Sequence, residues 1–371
     1  MIRFVHTADW QIGMKAAGLG DASQRVRDVR LDSVERIVEL ARERDIELLL
    51  ITGDVFEDNA VDRSLVRKVG ETLSRFRGQV FITPGNHDPL TPGSVWEHPV
   101  WEENSHVHVL RDRRPIELEN CVLYPCPLKE KYSTRNPLSS IDASDTHKVA
   151  IGLAHGNVEG LPDAEPDYPI PVDAAQKAGL DFLAIGHWHS FSPYKGSDGI
   201  VRMAYSGTHE TTKFGERDSG NVLLVKIAER GAVPQIESLR TGALKWLTLD
   251  RSIAQADDLA RLSSELKAIE DPGNCLVRIR LDGLLFMSAR AELELLNEIL
   301  TTRFLYGFLS IERMTPAPED DSWIEELPVG VLRESAETIR QQAFNGSDEQ
   351  TRLVATRALL ELFELKEKAA L

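Results

Sequence analysis

The sequence predicts a layered α/β domain, followed by a smaller unit of mixed α and β structure and a helical tail. Three observations predict it. Short apolar runs end in loops rich in Gly, Asp, Asn and His. Amphipathic helical periods lie between some of these runs. From residue 245 onward the order becomes a compact β-α-β-α-β. In layered sheets of this kind the reactive groups gather beyond the carboxyl ends of the strands.

The elements follow in order. Ile2–Thr7 ends at Ala8-Asp9-Trp10-Gln11, and Glu47–Thr52 ends at Gly53-Asp54. Val80–Thr83 ends at Gly85-Asn86-His87-Asp88, Val149–Ala154 at His155-Gly156-Asn157, and Phe182–Ile185 at Gly186-His187-Trp188-His189. Leu31, Val34, Ile37, Val38 and Ala41 share one helix face, as do Val66, Val69 and Leu73. Val201–Tyr205 and Asn221–Ile227 read as antiparallel strands and complete a first domain at about residues 1–240. The second domain, 245–314, places strands at Trp246–Leu249, Cys275–Leu281 and Phe308–Ile311. Its helices run from about Ala256 to Ala268 and from about Ala289 to Leu300. Residues 315–330, opening with Thr-Pro-Ala-Pro-Glu-Asp-Asp-Ser, read as a linker. The tail, 331–371, holds two helices. Leu332, Ala336, Ile339 and Ala343 lie on one face of the first. The second carries a stripe of Val354, Ala358, Leu362 and Leu365, with Leu359 and Phe363 beside it.

Composition narrows the function classes. With 371 residues the chain is long enough for a sizeable core without disulfides. No apolar run approaches the roughly 18 residues of a spanning helix, and the polar start is read as lacking a signal peptide. Three cysteines, Cys121, Cys126 and Cys275, have no paired spacing and are expected as reduced thiols of a cytoplasmic protein. The formal net charge of −16 argues against a non-specific nucleic-acid coat. It leaves open a nucleic-acid enzyme, whose field need be favourable only at the site.

The loops carry the chemistry. Asp9 and Gln11 are two apart at a strand end and can point the same way, as can His187 and His189. With Asp54, Asn86 and His155 they supply carboxylates, amide oxygens and imidazoles. That mixture suits manganese, iron or zinc. Seven such residues exceed one tetrahedral ion and fit two ions sharing Asp54 as a bridge. Metal pairs of this kind activate water and clamp a phosphoryl group for in-line attack. Singly, each loop has a plainer reading: Gly-Asp after a strand is a common turn, and Pro84 and Pro89 favour a turn around Asn86 and Asp88. Their joint occurrence, each on its own strand end, points to the metals.

The set Asp9-Trp10-Gln11, Gly53-Asp54, Gly85-Asn86-His87-Asp88, His155 and Gly186-His187-Trp188-His189 resembles the calcineurin-like metallophosphoesterases over about residues 5–210. The resemblance implies a four-layer α/β/β/α sandwich. It implies one metal held by Asp9, Gln11, Asp54 and His189, and another by Asp54, Asn86, His155 and His187. His87 then serves proton transfer at the leaving oxygen or stabilises the transition state. Gln11 stands where the family pattern has histidine. That change implies a looser first metal or one more selective for manganese or magnesium, and leaves a partly disabled enzyme as an alternative. His6-Thr7-Ala8-Asp9-Trp10 with Gly53-Asp54-Val55-Phe56 is similar to the SbcD family, nuclease subunits of double-strand-break repair complexes. That resemblance implies a capping domain at 245–314 and a tail that binds an SMC-like ATPase. It also implies a homodimer and a metal-dependent DNA exonuclease and endonuclease using two divalent ions, manganese foremost. Arg25, Arg27, Arg30, Lys129, Lys131 and Arg135 are the candidate phosphate contacts. Trp10 and Trp188 pack or line the loops, and His209 lies near them. The alternatives are a stand-alone phosphodiesterase or phosphatase on small phosphoesters, and a DNA- or ATPase-binding scaffold with a weakened site.

Overall fold

The computed structural model describes residues 1–160, 167–255, 257–286, 290–316 and 322–369. The chain divides into two units, Met1–Lys245 and Trp246–Leu371.

The first unit starts with β1 (Ile2–Thr7), α1 (Ala22–Glu43), β2 (Leu48–Thr52), α2 (Arg63–Leu73), β3 (Gln79–Thr83) and β4 (Val107–Val109). The chain then crosses to a second sheet with β5 (Ile116–Glu117), β6 (Cys121–Pro125), β7 (Val149–His155), α3 (Ala174–Lys177), β8 (Phe182–Gly186), β9 (Ser192–Lys195) and β10 (Val201–Tyr205). It returns to the first sheet with β11 (Asn221–Ile227) and β12 (Gln235–Arg240). The sheet orders are β12-β11-β1-β2-β3-β4 and β5-β6-β7-β8-β10-β9. Strands β1 to β4 are parallel, as are β6, β7, β8 and β10.

The period-two side-chain alternation makes the layers. Phe4, Leu48, Leu50, Phe81 and Val225 face one way and meet Leu123, Ile151, Leu153, Phe182 and Ala184 of the other sheet in a core between the sheets. Their neighbours Val5, Leu49, Ile51, Val80 and Ile82 face outward and pack against Val34, Ile37, Val66, Val69 and Leu73 of α1 and α2. On the second sheet Ala150, Ala154, Leu183 and Ile185 pack against Ala174 and Ala175 of α3. The arrangement is the four-layer α/β/β/α sandwich. One strand meets expectation on one side only: β10 is antiparallel to β9 but runs parallel to β8. The intervening β9 runs back along the outer edge and pairs antiparallel with β10, so β10 enters between them in the direction of β8.

The second unit opens with β13 (Lys245–Ile253), α4 (Asp257–Lys267), β14 (Cys275–Leu285), α5 (Arg290–Arg303) and β15 (Tyr306–Pro316), forming the sheet β13-β14-β15. Val277, Ile279 and Leu281 alternate along β14 into a core with Leu259, Leu262 and Leu266 of α4 and Leu296, Ile299 and Leu300 of α5. All three strands run longer than the sequence pattern marked. The expected helix starts at Ala256 and Ala289 lie outside the described residues. So do 317–321 of the segment read as a linker, 315–330. That segment also holds the end of β15 and the short helix α6 (Ser322–Glu326).

The tail forms α7 (Val331–Asn345) and α8 (Glu349–Ala369). The buried face of α8 is turned one residue from the expected stripe. Ala355 and Leu359 are buried and Leu362 and Phe363 half-buried, whereas Val354 and Leu365 are 63% and 62% exposed. The cause is the segment around α6: Trp323 and Ile324 of that helix and Leu327 just after it form the surface that α8 meets; the Trp323 and Phe363 rings lie 5.4 Å apart. On α7, Ala336 is buried and Leu332 is 48% exposed. All three cysteines are buried, and among the described residues none forms a disulfide. Among the described residues no helix is long and apolar enough to cross a membrane.

Candidate active site

The parallel strands of the two sheets deliver their ends to one edge of the sandwich. Asp9, Asp54, Asn86, His155 and His187 follow or end β1, β2, β3, β7 and β8. Backbone hydrogen bonds tie the first two loops together: Asp9 N donates to the Gly53 carbonyl (3.1 Å) and Gln11 N to the Asp54 carbonyl (2.9 Å). Asp88 ties the second loop to the third, accepting from Phe56 N (3.0 Å) and Gly85 N (2.7 Å). Burial, then the Asp54 charge, pushes the Asp88 carboxyl up to about 7.

Two glycines are required by close approach. A Cβ on Gly53 would lie 2.2 Å from His155 Nδ1, and one on Gly85 would lie 2.2 Å from Asp54 Oδ1. The side chains are also aimed by strained backbone. Among the described residues nine non-glycine positions have positive φ, and four are Asp9 (55°), Gln11 (42°), Asp54 (52°) and His187 (120°). Strain of this kind persists where surrounding structure imposes it, characteristically at functional sites.

Four of the expected ligands converge. Asn86 Oδ1 lies 2.8 Å from His155 Nε2 and 3.1 Å from His187 Nδ1, and Asp54 Oδ2 lies 3.3 Å from His155 Nε2. Single donor atoms of Asp54, His155 and His187 lie within 4.8 Å of one another. His155 Nδ1 donates to the Thr52 carbonyl at 2.9 Å. Its Nε2 then turns a lone pair toward two oxygens, and such a cluster requires a cation: a proton on His155 or a metal ion. The residues therefore fit a borderline divalent metal.

Electrostatics gives the same reading. Burial opposes charge on His155, yet the adjacent Asp54 carboxylate outweighs it and raises the imidazole to about 9. Burial would likewise raise Asp54, but the His155 charge and hydrogen bond hold it well below the carboxylate range. Burial, reinforced by the His155 charge, lowers His187 to about 3. Burial raises Asp9 to about 6 against the pull of His155 and His189. At pH 7 His155 thus holds a proton that a metal must displace. Metal binding is expected to release about one proton at pH 7, so affinity rises about tenfold per pH unit toward the His155 value and levels off above it. Calorimetry in buffers of different ionisation enthalpy checks this; binding without proton release contradicts it.

The remaining expected ligands sit around this cluster. Both Asp9 carboxylate oxygens accept from His187 N, at 3.0 and 3.1 Å. His189 Nδ1 faces Glu216, at 2.9 Å. Gln11 is buried, and among the described residues its side-chain amide has no hydrogen-bond partner. His87 is outside the cluster. Its amide donates to Asp54 Oδ1 (2.9 Å), and its Nδ1 donates to the Glu57 carbonyl (2.8 Å).

A cavity of about 590 Å³ adjoins the cluster, lined among others by Asn86, His87, His187, Trp188 and His189. Lys131, Tyr132, Lys213, Phe214 and Glu216 complete its polar and aromatic wall. Of the six cations expected to grip phosphate, Lys131 lines this cavity. Arg30 does not fit that role. It is 1% exposed, and it donates to the Glu210 carbonyl (3.1 Å) and to the Trp10 carbonyl, so it braces the first loop from inside. Arg27 donates to the Lys15 carbonyl (3.0 Å) and to Gln24, and Arg25 pairs with Asp32 at 3.9 Å. Lys129 and Arg135 are exposed and are not among the cavity's lining residues. Trp10 is fully buried, with Nε1 donating to Thr7 Oγ1 at 2.9 Å. His209 packs on it at 5.5 Å and turns Nε2 to the Arg30 carbonyl. Sequence reading missed Lys213, Phe214 and Glu216. They sit in an irregular loop, and the Tyr205-Ser206-Gly207 turn before it was the only signal nearby.

The calcineurin-like phosphoesterase family profile matches residues 2–191, half of the chain. An uncharacterized metallophosphoesterase of Bacillus subtilis, YhaO, is 26% identical over 204 residues, covering 51% of this chain and 48% of the relative. The match thus spans about half the length of that curated relative. Among solved structures, a dimetal phosphatase from Danio rerio aligns with 11% identity and a TM-score of 0.42, covering 64% of this chain and 98% of the other. The calcineurin-like phosphoesterase YfkN from Bacillus subtilis aligns with 13% identity and a TM-score of 0.36, covering 64% of this chain and 90% of the other. On the profile match and the ligand cluster that the two sheets assemble, the chain belongs to the calcineurin-like phosphoesterases, hydrolases that bind a pair of metal ions.

Proposed function

We propose that the chain is a two-metal phosphodiesterase that cleaves DNA at its ends and works with an SMC-like ATPase. In this reading Asp54, Asn86, His155 and His187 hold one ion and Asp9, Gln11, Asp54 and His189 the other. When bound, the pair activates water and neutralises charge on the phosphoryl group. His87 moves a proton through Nε2, the nitrogen its bond to Glu57 leaves free. The observation that carries the reading is the wall of the adjoining cavity. Lys131 and Lys213 offer cations for phosphate, and Tyr132, Phe214 and Trp188 offer ring faces for a base. Tyr132 is 64% exposed, and Lys131 Nζ lies 5.7 Å from the centre of its ring. In a chain of net charge −16, a wall on which Lys131 and Lys213 balance Asp167 and Glu216 is locally less acidic than the chain as a whole. The partner role falls to α7 and α8; Leu353, Val354 and Leu365, all more than 60% exposed, support it.

A second reading, a stand-alone phosphodiesterase on small phosphoesters, is favoured by the cavity's size. About 590 Å³ lies in the range of small-molecule sites. End-labelled duplex DNA and bis(p-nitrophenyl) phosphate, each with manganese, separate the two. Under the first reading wild type degrades the duplex, and Lys213→Ala raises KM for DNA several-fold while leaving the small ester nearly unchanged. Hydrolysis of the small ester with intact duplex, even with the ATPase added, selects the second.

A further inference from the structure

The loop 208–220 is anchored beside the ligand loops: Ala8 and Thr208 form a parallel bridge, and Thr208 N donates to the His189 carbonyl at 3.0 Å. Within it Thr212 and Glu216 close on each other. Glu216 Oε2 accepts from Thr212 N at 2.7 Å, and Oε1 accepts from Thr212 Oγ1. The same Oε1 lies 2.9 Å from His189 Nδ1, with the carboxylate side chain only 4% exposed. An ionised carboxylate only accepts, so His189 Nδ1 carries the hydrogen. Nε2 is then the nitrogen with a free lone pair. His155 is held similarly, but by the neutral Thr52 carbonyl. Among the described residues His189 is the one of the three proposed ligand histidines whose Nδ1 is hydrogen-bonded to a carboxylate.

We propose that Glu216 is a positioning residue for His189: it fixes the ring and its tautomer and strengthens Nε2 as a metal donor, offsetting the weaker amide oxygen of Gln11 in the same ion's donor set. The inference rests on His189 and Gln11 serving one ion, as proposed above. A carboxylate behind a ligand imidazole raises its basicity, and losing such a partner typically lowers metal affinity about 10- to 100-fold. The loop also presents Lys213 and Phe214 to the cavity, so one short segment serves both metal and substrate.

The test is manganese titration of the full chain by calorimetry, with His189→Ala as a parallel control. Glu216→Ala is expected to weaken one of two ions about 10- to 100-fold and spare the other. Glu216→Gln keeps an acceptor and loses the charge, so its loss is expected to be smaller; it also serves if the alanine variant melts early. In the Gln11→His background the Glu216→Ala loss is expected to shrink. Nitrogen-15 spectra of His189 are expected to show Nδ1 protonated. Wild-type affinity for both ions in Glu216→Ala, beside a defect in His189→Ala, overturns the positioning role alone. Normal binding by His189→Ala overturns the ligand assignment and this inference with it.

Discussion

Asp54→Ala is expected to abolish phosphoester hydrolysis and to strip the chain of both metals. Asp54 is 2% exposed, and its carboxylate does two things at once. Oδ1 accepts from His87 N at 2.9 Å, locking the third loop, and Oδ2 faces His155 Nε2 at 3.3 Å. In the donor sets proposed above it is the shared ligand, so neither ion is expected to keep its site. Removing a single electrostatic donor from an active site costs about 10²- to 10³-fold in rate, and loss of the shared ligand is expected to exceed that. The variant also leaves His155 without the charge that outweighs its burial, so its imidazole is expected to fall toward neutrality at pH 7. Metal content by plasma mass spectrometry and kcat on a phosphodiester give the two readouts. Two bound ions and near-normal turnover in Asp54→Ala would remove Asp54 from the centre of the site.

The fold was legible where a local pattern dictates structure. Short continuous apolar runs in β1, β2 and β3 announced the strands of a layered α/β domain, and Val5 and Phe4 do face opposite cores. Glycine-flanked polar residues at strand ends announced the cluster, because parallel strands bring their carboxyl ends to one edge whatever the intervening loops do. What stayed hidden depends on three-dimensional neighbours. The face that α8 buries was set by Trp323 and Ile324 of a short helix inside a segment that reads as a linker. Arg30 looked like a phosphate contact by sequence position, but it points into the protein to satisfy carbonyls of residues 10 and 210. Glu216 and Lys213 reach the site from an irregular loop with no periodicity, so their position could not be read before the loop's anchor at Thr208 was seen.

His87→Gln is expected to slow hydrolysis while leaving metal affinity intact. The side chain lines the cavity and stands apart from the converging donor atoms. Its Nδ1 is committed to the Glu57 carbonyl, leaving Nε2 as the atom that can meet a substrate oxygen. General acid catalysis contributes about 10²- to 10⁴-fold, and kcat is expected to drop within that range. The leaving group then separates the two roles open to this histidine. An alkoxide such as a deoxyribose oxygen needs a proton to depart; p-nitrophenolate does not. If His87 donates that proton, the variant loses far more on DNA or an alkyl ester than on bis(p-nitrophenyl) phosphate. An equal loss on both substrates excludes proton donation and assigns His87 to stabilising charge on the phosphoryl oxygens, a role that does not depend on which group departs.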